Sequence, residues 1–432
     1  MKAKDTQAKA SNAADRGNKS DRVDNIDRVN RVSKVLNVSN DNHTQHTKHG
    51  WEVKKLGEVC ESDLGKTLNQ SKDKGLLRPY LCAINVLWDK FDLTTLKETR
   101  FEDSELERYS VKKGDLLICE GGDIGRAAIW NSDIVMLYQN ALHRVRLNKS
   151  INSRFVLLYL RHLKKSRILD TRYGKGVTIK HLVKSSLLSI PIPIPPIEEQ
   201  ERIVRELDCL SGVIEKKREQ LKQLDALAQS IFYDMFDDPI NSKYETKKLA
   251  DLSEHKLSYG SGASAVDFNG KIRYVRITDI KDDGELHDEK VSPSIIDDKY
   301  ILKDGDILFA RSGATVGKTY LYRSKEGKSI YAGYLIRFIP NRNIVLPAYI
   351  YAYTKTSYYK AFISVSAQAV AQPNINAQQY SSLIVPIPPL SLQEKFAEKI
   401  EAIEKQKELL KRSIKEVETL FDARMDYYFG DT

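Results

Sequence analysis

The chain has 432 residues, enough for two or three domains that each bury a core. Its formal net charge of +10 suits either a polyanionic partner such as nucleic acid or an ordinary basic surface. The cysteines form no CxxC pair, no apolar signal core opens the chain, and no stretch approaches roughly eighteen apolar residues. We therefore expect a reduced, cytoplasmic protein without a membrane span or a bound metal.

In chain order, residues 1–49 form a polar leader that is predicted to be disordered. After it, most of the sequence occurs twice, at an offset of about 190 residues. The repeated pieces are WEVKKLGEVCE (51–61) and YETKKLADLSE (244–254), KKGDLLICEGGDIGR (112–126) and LKDGDILFARSGATVGK (302–318), and IPIPPIEEQERIVREL (192–207) and VPIPPLSLQEKFAEKI (385–400).

Each copy is predicted to be a mixed domain followed by a long helix. The domains span 50–196 and 244–388, with short strands and then one helix, near 154–169 and near 347–363. Proline strings close both domains and are interpreted as stiff extended connectors, because proline cannot continue a sheet or helix interior. The helices that follow are predicted over 197–237 and 389–428.

An apolar seam at three-four spacing runs along each long helix, which is typical of a coiled coil. The seam residues are Leu207, Leu210, Ile214, Leu221 and Leu224, and Ile400, Ile403, Leu410, Ile414 and Val417. One lysine interrupts each seam, Lys217 and Lys407, and either fixes the alignment or extends its charge into solvent. The predicted fold class is α+β: two similar mixed α/β domains joined by two long antiparallel coiled-coil helices, with pseudo-two-fold symmetry.

The repeat and the helices that begin with IPIPPIEEQ and VPIPPLSLQ resemble the specificity (S) subunit of type I restriction–modification systems. GDILFARSG (305–313) and QPNI (372–375) add to the resemblance, which covers nearly the whole chain after residue 50. It implies two target-recognition domains, each of which reads half of a split double-stranded DNA site. It also implies helices that bind two methyltransferase subunits, with restriction subunits in the complex. S-adenosylmethionine, ATP and Mg²⁺ would be held by those partners, and no cofactor by this chain.

The two copies depart from each other where the family motif is most specific. Arg276 of the second copy is replaced by Cys82 in the first, and the RSG of 311–313 is EGG at 120–122. The two domains are therefore expected to read different sequences.

Base reading needs forked or bidentate donors, such as arginine for guanine and asparagine or glutamine for adenine. Donors of this kind near the repeated loops are the candidate DNA-binding residues. They are Arg78, Arg126, Arg144 and Lys175 in the first domain, and Arg276, Arg311, Lys318, Gln372 and Asn374 in the second.

No motif for catalysis or metal binding is found in the sequence. RSGATVGKT resembles a phosphate-binding loop, but the residue five before Gly317 is Ser312, and the first copy lacks the Lys-Thr pair. We therefore predict a non-catalytic DNA-specificity subunit. The alternatives are a nucleotide hydrolase that uses residues 313–319 and a coiled-coil scaffold without DNA specificity.

Overall fold

The structure is a computed structural model that describes residues 47–69, 71, 73–177, 180–367 and 373–430. Residues 1–46 of the predicted leader lie outside the described residues. Two compact units make up the described chain: one comprises the residues up to Ile214 together with those from Glu416, and the other runs from Glu215 to Lys415. Each unit thus contains one copy of the repeat and a part of both long helices.

The first unit is built mainly on two four-stranded sheets, ordered β2-β11-β8-β9 and β6-β3-β10-β7. Strand β8 is buried along its whole length, so it lies at the centre of the core. The strands are β1 Glu52–Lys55, β2 Cys60–Leu64, β3 Leu76–Leu81, β4 Val86–Leu87, β5 Lys90–Phe91, β6 Lys97–Phe101, β7 Ser110–Val111, β8 Leu116–Cys119, β9 Ala127–Ile129, β10 Met136–Tyr138, β11 Leu142–Leu147 and β12 Pro191–Ile194.

The second unit repeats this arrangement, with a sheet ordered β14-β21-β18-β19 and a parallel pair β16–β20 that corresponds to β3–β10. Its central strand β18 is again fully buried. The strands are β13 Thr246–Lys248, β14 Ser258–Tyr259, β15 Ala265–Asp267, β16 Arg273–Val275, β17 Val291–Pro293, β18 Ile307–Ala310, β19 Thr319–Leu321, β20 Ser329–Tyr331, β21 Leu335–Phe338 and β22 Ile384–Pro386.

The helices of the described residues include two of forty residues each. The α-helices of this part of the chain are α1 Leu56–Val59, α2 Asp103–Leu106, α3 Ser153–Lys165, α4 Lys184–Leu188, α5 Ile197–Phe236, α6 Pro347–Tyr353, α7 Ser357–Ala367, α8 Ala377–Ser381 and α9 Leu390–Phe429. No helix in this part of the chain is long and apolar enough to cross a membrane.

The single helix expected near 347–363 is two helices, α6 and α7. The Thr354 hydroxyl donates to the Tyr351 carbonyl at 2.7 Å, and the Thr356 hydroxyl donates to the Tyr353 carbonyl at 2.8 Å. Thr356 Oγ1 also accepts from the Tyr359 backbone N–H. Threonine hydroxyls compete with backbone partners in this way, which explains why the helix ends and starts again here.

Each proline string begins within a strand, which the prediction of stiff connectors did not include: Pro191–Ile194 is β12, and Pro386 ends β22. Pro191–Ile194 pairs antiparallel with β1, and Ile384–Pro386 pairs with β13. Each pair is a two-stranded ladder, so the proline strand is an edge strand, where a missing N–H is tolerated. This pairing returns the end of each domain to its beginning, immediately before the long helix.

A buried glutamine one turn into each long helix makes the same hydrogen bonds in both units. In the first unit, Gln200 Oε1 accepts from Asn152 N at 2.8 Å, and Nε2 donates to the Ser150 and Pro195 carbonyls at 3.1 and 2.9 Å. In the second, Gln393 bonds Leu346 N at 2.8 Å and the carbonyls of Ile344 and Pro388 at 3.2 and 2.8 Å. We call Gln200 and Gln393 the clamp glutamines, because each joins a long helix to its domain.

Inside the first unit, α5 and α9 run antiparallel. Arg202 Nη2 donates to the Tyr428 hydroxyl at 3.2 Å, and four residues later Glu206 Oε2 accepts from Arg424 Nη2 at 3.1 Å. The partner number falls as the α5 number rises, which defines the direction.

Inside the second unit, the same two helices are again antiparallel. Phe232 and Phe396 pack edge to face with ring centroids 5.8 Å apart, and Lys407 Nζ lies 2.7 Å from Asp225 Oδ1. Burial, the largest effect, lowers the pKa of Lys407, but its contacts with Asp225 and Glu404 raise it more. Lys407 is therefore a paired cation with a side chain only 14% exposed.

The predicted seam residues of both helices are buried or half-buried. Leu207, Ile214, Ile403 and Ile414 are buried, and Leu210, Leu221, Leu224, Ile400, Leu410 and Val417 are half-buried.

Candidate nucleic-acid interface

One loop edge of the first unit is fixed by backbone hydrogen bonds around Glu120, the residue after β8. Its N–H donates to the Ala141 carbonyl at 2.9 Å, and its carbonyl accepts from Leu182 N at 2.7 Å. Gly121 and His181 form a β-bridge beside it. Three separate segments therefore meet at this point.

The second unit builds the same edge around Arg311, the residue after β18. Its N–H donates to the Tyr334 carbonyl at 3.1 Å, and its carbonyl accepts from Ile375 N at 2.8 Å. Ser312 and Asn374 form the matching bridge. Glu120 and Arg311 are thus equivalent positions, as are His181 and Asn374, and we call these two sets the loop edges.

A glycine supports each loop edge by allowing close backbone contact. A Cβ at Gly65, after β2, would lie 2.4 Å from the Tyr138 carbonyl oxygen. A Cβ at Gly260, after β14, would lie 2.3 Å from the Ala332 carbonyl oxygen. No other residue fits at these distances, so both copies require glycine there.

The side chains of the second loop edge offer donors and aromatic surface to solvent. Arg311 Nε donates to Asn374 Oδ1 at 3.3 Å, and the guanidinium lies 4.8 Å from the Tyr259 ring centroid. Within the described residues, its terminal nitrogens have no hydrogen-bond partner. Tyr259 is 41% exposed and Tyr334 is 61% exposed. Arginine forks and exposed tyrosine rings are suited to base edges and base faces.

The first loop edge carries an acid instead. Burial raises the pKa of the half-buried Glu120 carboxyl, and His181 beside it lowers that pKa in part. His181 is exposed. Its N–H donates to the Lys175 carbonyl and its carbonyl accepts from the Lys175 N–H, both at 2.8 Å. The candidate Lys175 therefore lies at this edge with an exposed side chain.

The candidates Arg126 and Lys318 occupy equivalent positions and face inward to a neighbouring turn. Arg126 Nη2 donates to the Ala83 carbonyl at 2.7 Å, and Lys318 Nζ donates to the Ile280 carbonyl at 3.3 Å. Lys318 also pairs with the exposed Asp282 at 2.7 Å. These contacts tie the glycine loop to the turn after the parallel strand, which favours a supporting role.

Arg276 and Arg78 are held by acids close to them. Arg276 forms an ion pair with the buried Asp279 at 2.7 Å within one turn. Arg78, on β3, lies 3.6 Å from Asp103, and its Nε has no hydrogen-bond partner. The structure brings neither residue to a loop edge.

Arg144 is buried, which argues against its predicted contact with DNA. It is 6% exposed, and its Nη1 donates to the Ser110 carbonyl at 2.6 Å. Its equivalent, Arg337, is 7% exposed and pairs with the buried Asp306 at 2.5 Å. Both guanidiniums lie over a buried tyrosine, Tyr138 and Tyr331. This repeated inward packing favours a structural role for Arg144.

Of the remaining candidates, Asn374 lies at the second loop edge, and Gln372 lies outside the described residues. Sequence reasoning missed Tyr259, Tyr334, Glu120 and His181, because it searched only for donors of the arginine, lysine and amide types. The available signal was the alignment of the copies, which places Glu120 opposite Arg311.

The loop that resembles a phosphate-binding motif lacks a usable hydroxyl. Thr319, in the position of the metal-binding threonine, is 1% exposed, and its hydroxyl bonds that of Thr354 at 2.8 Å. In the described ranges no group of His, Cys, Asp or Glu is arranged to hold a metal ion.

A charged cleft of about 790 Å³ lies in the second unit, between the loop 282–290 and the long helices. Ion pairs cross it, Glu285 with Lys411 and Lys325 with Glu408. Lys355 faces the Tyr351 ring there, and burial lowers its pKa to about 8. Because acids and bases already pair across the cleft, we interpret it as the contact that attaches the domain to the helices.

The two loop edges share one backbone framework and carry different side chains, Glu120 in the first and Arg311 in the second. A family model described as the type I restriction modification DNA specificity domain matches residues 48–225 and 241–419. The chain therefore belongs to this family, with two copies of its domain, and its function is that of a DNA sequence-specificity subunit.

Curated relatives carry the same description. The EcoBI specificity subunit of Escherichia coli is 24% identical over 69% of this chain and 68% of its own length. The putative MjaX specificity subunit of Methanocaldococcus jannaschii is 24% identical over 85% and 90%. The EcoKI specificity subunit of Escherichia coli strain K12 is 23% identical over 82% of each.

Solved structures share the fold. The S subunit from M. genitalium is 14% identical, with a TM-score of 0.54 over 91% of this chain and 99% of that one. A chain from a structure of the type I restriction–modification system gives a TM-score of 0.53 at 17% identity, over 88% and 98%. Together with the family match, these confirm the predicted fold class of two mixed α/β domains with long helices.

Proposed function

We propose that this chain binds a bipartite, asymmetric site on double-stranded DNA, with one domain for each half. The observation that carries this proposal is the pair of loop edges. Their backbones are hydrogen-bonded alike, whereas Glu120 stands in one where Arg311 stands in the other. A common framework with unlike side chains is what reading two different half-sites requires.

The chain is proposed to recognise DNA without catalysing a reaction. Methyl transfer and cleavage would belong to partner subunits that hold S-adenosylmethionine, ATP and Mg²⁺. The buried Thr319 supports this assignment, since its hydroxyl is already bonded and has no access to a nucleotide-bound metal.

The partners are proposed to be two methyltransferase subunits, with restriction subunits added to the complex. Apolar side chains remain exposed on the long helices, among them Leu227 and Leu409 in the second unit and Leu420 in the first. Exposed leucines on otherwise polar helices are suited to protein contacts. The complex would act in the cytoplasm, which agrees with the free thiols of Cys60, Cys82, Cys119 and Cys209.

The test is to map methylated bases across the genome of the host with and without this gene. A split, adenine-methylated motif should be present in the first genome and absent from the second. Identical methylation in both, in a host whose partner subunits are expressed, would refute the proposal.

A further inference from the structure

The loop edges present one side chain each from a matched backbone position. Glu120 and Arg311 both follow the central strand, and each is fixed through its N–H and its carbonyl by the same two neighbouring segments. The two side chains therefore start from equivalent backbone positions, and they differ only in chemical type.

In the second unit, Arg311 is oriented on two sides. Asn374 accepts from Nε at 3.3 Å, and the guanidinium carbon lies 4.8 Å from the Tyr259 ring centroid. Within the described residues, both terminal nitrogens remain available as donors. A guanidinium fork of this kind matches the O6 and N7 acceptors of guanine.

In the first unit, the equivalent group is a carboxylate, which only accepts hydrogen bonds when it is ionised. A carboxylate matches the N4 amino donor of cytosine. His181 takes the place of Asn374, and it lies so close to the loop that a Cβ at Gly121 would be 3.3 Å from its Nδ1. His181 therefore limits where the Glu120 side chain can go.

We propose that Arg311 and Glu120 are the specificity-determining residues of the two half-sites. Arg311 reads a guanine and Glu120 reads a cytosine, and Asn374 and His181 are their positioning residues. This inference rests on the proposed function, in which each domain reads one half of the DNA site.

The test uses the full chain, co-expressed with the methyltransferase subunits of its host, and a library of randomised DNA duplexes. Bound duplexes are sequenced for the wild type and for the variants Arg311→Lys and Glu120→Gln. Arg311→Lys keeps the charge but loses the fork, so preference for guanine at one position should fall about ten- to hundredfold. Glu120→Gln should reduce preference for cytosine by a similar factor in the other half-site only.

Matched controls lie at the far ends of the same sheets. Glu61, at the start of β2, and Arg342, beyond the end of β21, are removed along their strands from the loop edges. Glu61→Gln and Arg342→Lys should therefore leave every base preference unchanged. Circular dichroism melts identify any variant that fails to fold.

A switch of the preferred base provides an independent test. The double variant Glu120→Arg with His181→Asn gives the first edge the arginine and asparagine of the second, without the Tyr259 ring, and should change the preferred cytosine to guanine. If the wild type is selective, two results would overturn this inference: variants that keep the wild-type base preferences, or variants whose binding to all sequences is weakened equally. A wild type that selects no sequence would instead overturn the proposed function.

Discussion

The clamp glutamines show how one side chain can join two elements. Gln200 and Gln393 are both fully buried, and each satisfies one backbone N–H and two backbone carbonyls. Buried backbone groups must be paired, so this geometry makes the amide difficult to replace.

Replacing a clamp glutamine should therefore destabilise its own unit. We expect Gln200→Leu to lower the free energy of unfolding by roughly 2–4 kcal/mol, because three backbone groups lose the partner that the buried amide provides. Urea titration monitored by circular dichroism measures the loss. Gln220→Leu, an exposed glutamine of the same helix, is the control and should change stability little. Equal stability of both variants would show that the clamp is dispensable.

Part of the site could be read from single residues and part could not. Arg311 and Asn374 were predicted from their motif, and the structure places them in contact; their binding to DNA stays a prediction. Arg144 was misplaced because its strand is buried, and a strand residue can face the core whatever its charge. Glu120 was missed because only donors were sought, although the alignment of the copies already placed this acid opposite Arg311.

Among the elements, the long helices carry the most informative polar contact. Lys407 interrupts the apolar seam of α9, and it pairs with Asp225 of α5 as well as with Glu404 one turn earlier. A paired lysine in a seam favours one alignment of two helices over its neighbours, because a shifted helix would separate the cation from its acid on the facing helix.

This contact predicts a measurable coupling between the helices. Asp225→Ala should cost about 1 kcal/mol of stability, since Glu404 still neutralises Lys407 in part and Asp225 is half exposed. Combined with Lys407→Met, the loss should shrink, giving a coupling of roughly 0.5–1 kcal/mol in a double-mutant cycle. Asp234→Ala, an exposed acid of the same helix, is the control. Strict additivity of the two substitutions would contradict the role of the pair.

The sequence predicted the long helices, whereas it did not predict two other features of the secondary structure. The seam spacing predicted both long helices almost to their ends. The strands β12 and β22 were not foreseen, because their partners, β1 and β13, lie about 140 residues away in sequence. The break between α6 and α7 depends on the hydroxyls of Thr354 and Thr356, whose choice of partner is a matter of local geometry.

For the whole molecule, the two units are separate structural bodies with their own cores. Each core is closed by residues of its own repeat and its own helix portions. One recognition domain can therefore be exchanged without a change to the core of the other.

Domain replacement tests this independence. Replacing residues 50–196 with the same segment of another family member should change one half of the methylated motif and leave the other half intact. The reciprocal replacement of 244–388 should do the opposite, and genome-wide methylation mapping detects both. A change in both halves from one replacement would contradict the division of labour.

The framework of the loop edges has a consequence for how such proteins diversify. The hydrogen bonds that fix positions 120 and 311 come from main-chain atoms, and so they persist for any side chain other than that of proline. Under the proposed reading, one substitution at position 120 or 311 would change the base that a domain prefers while its backbone framework stays the same.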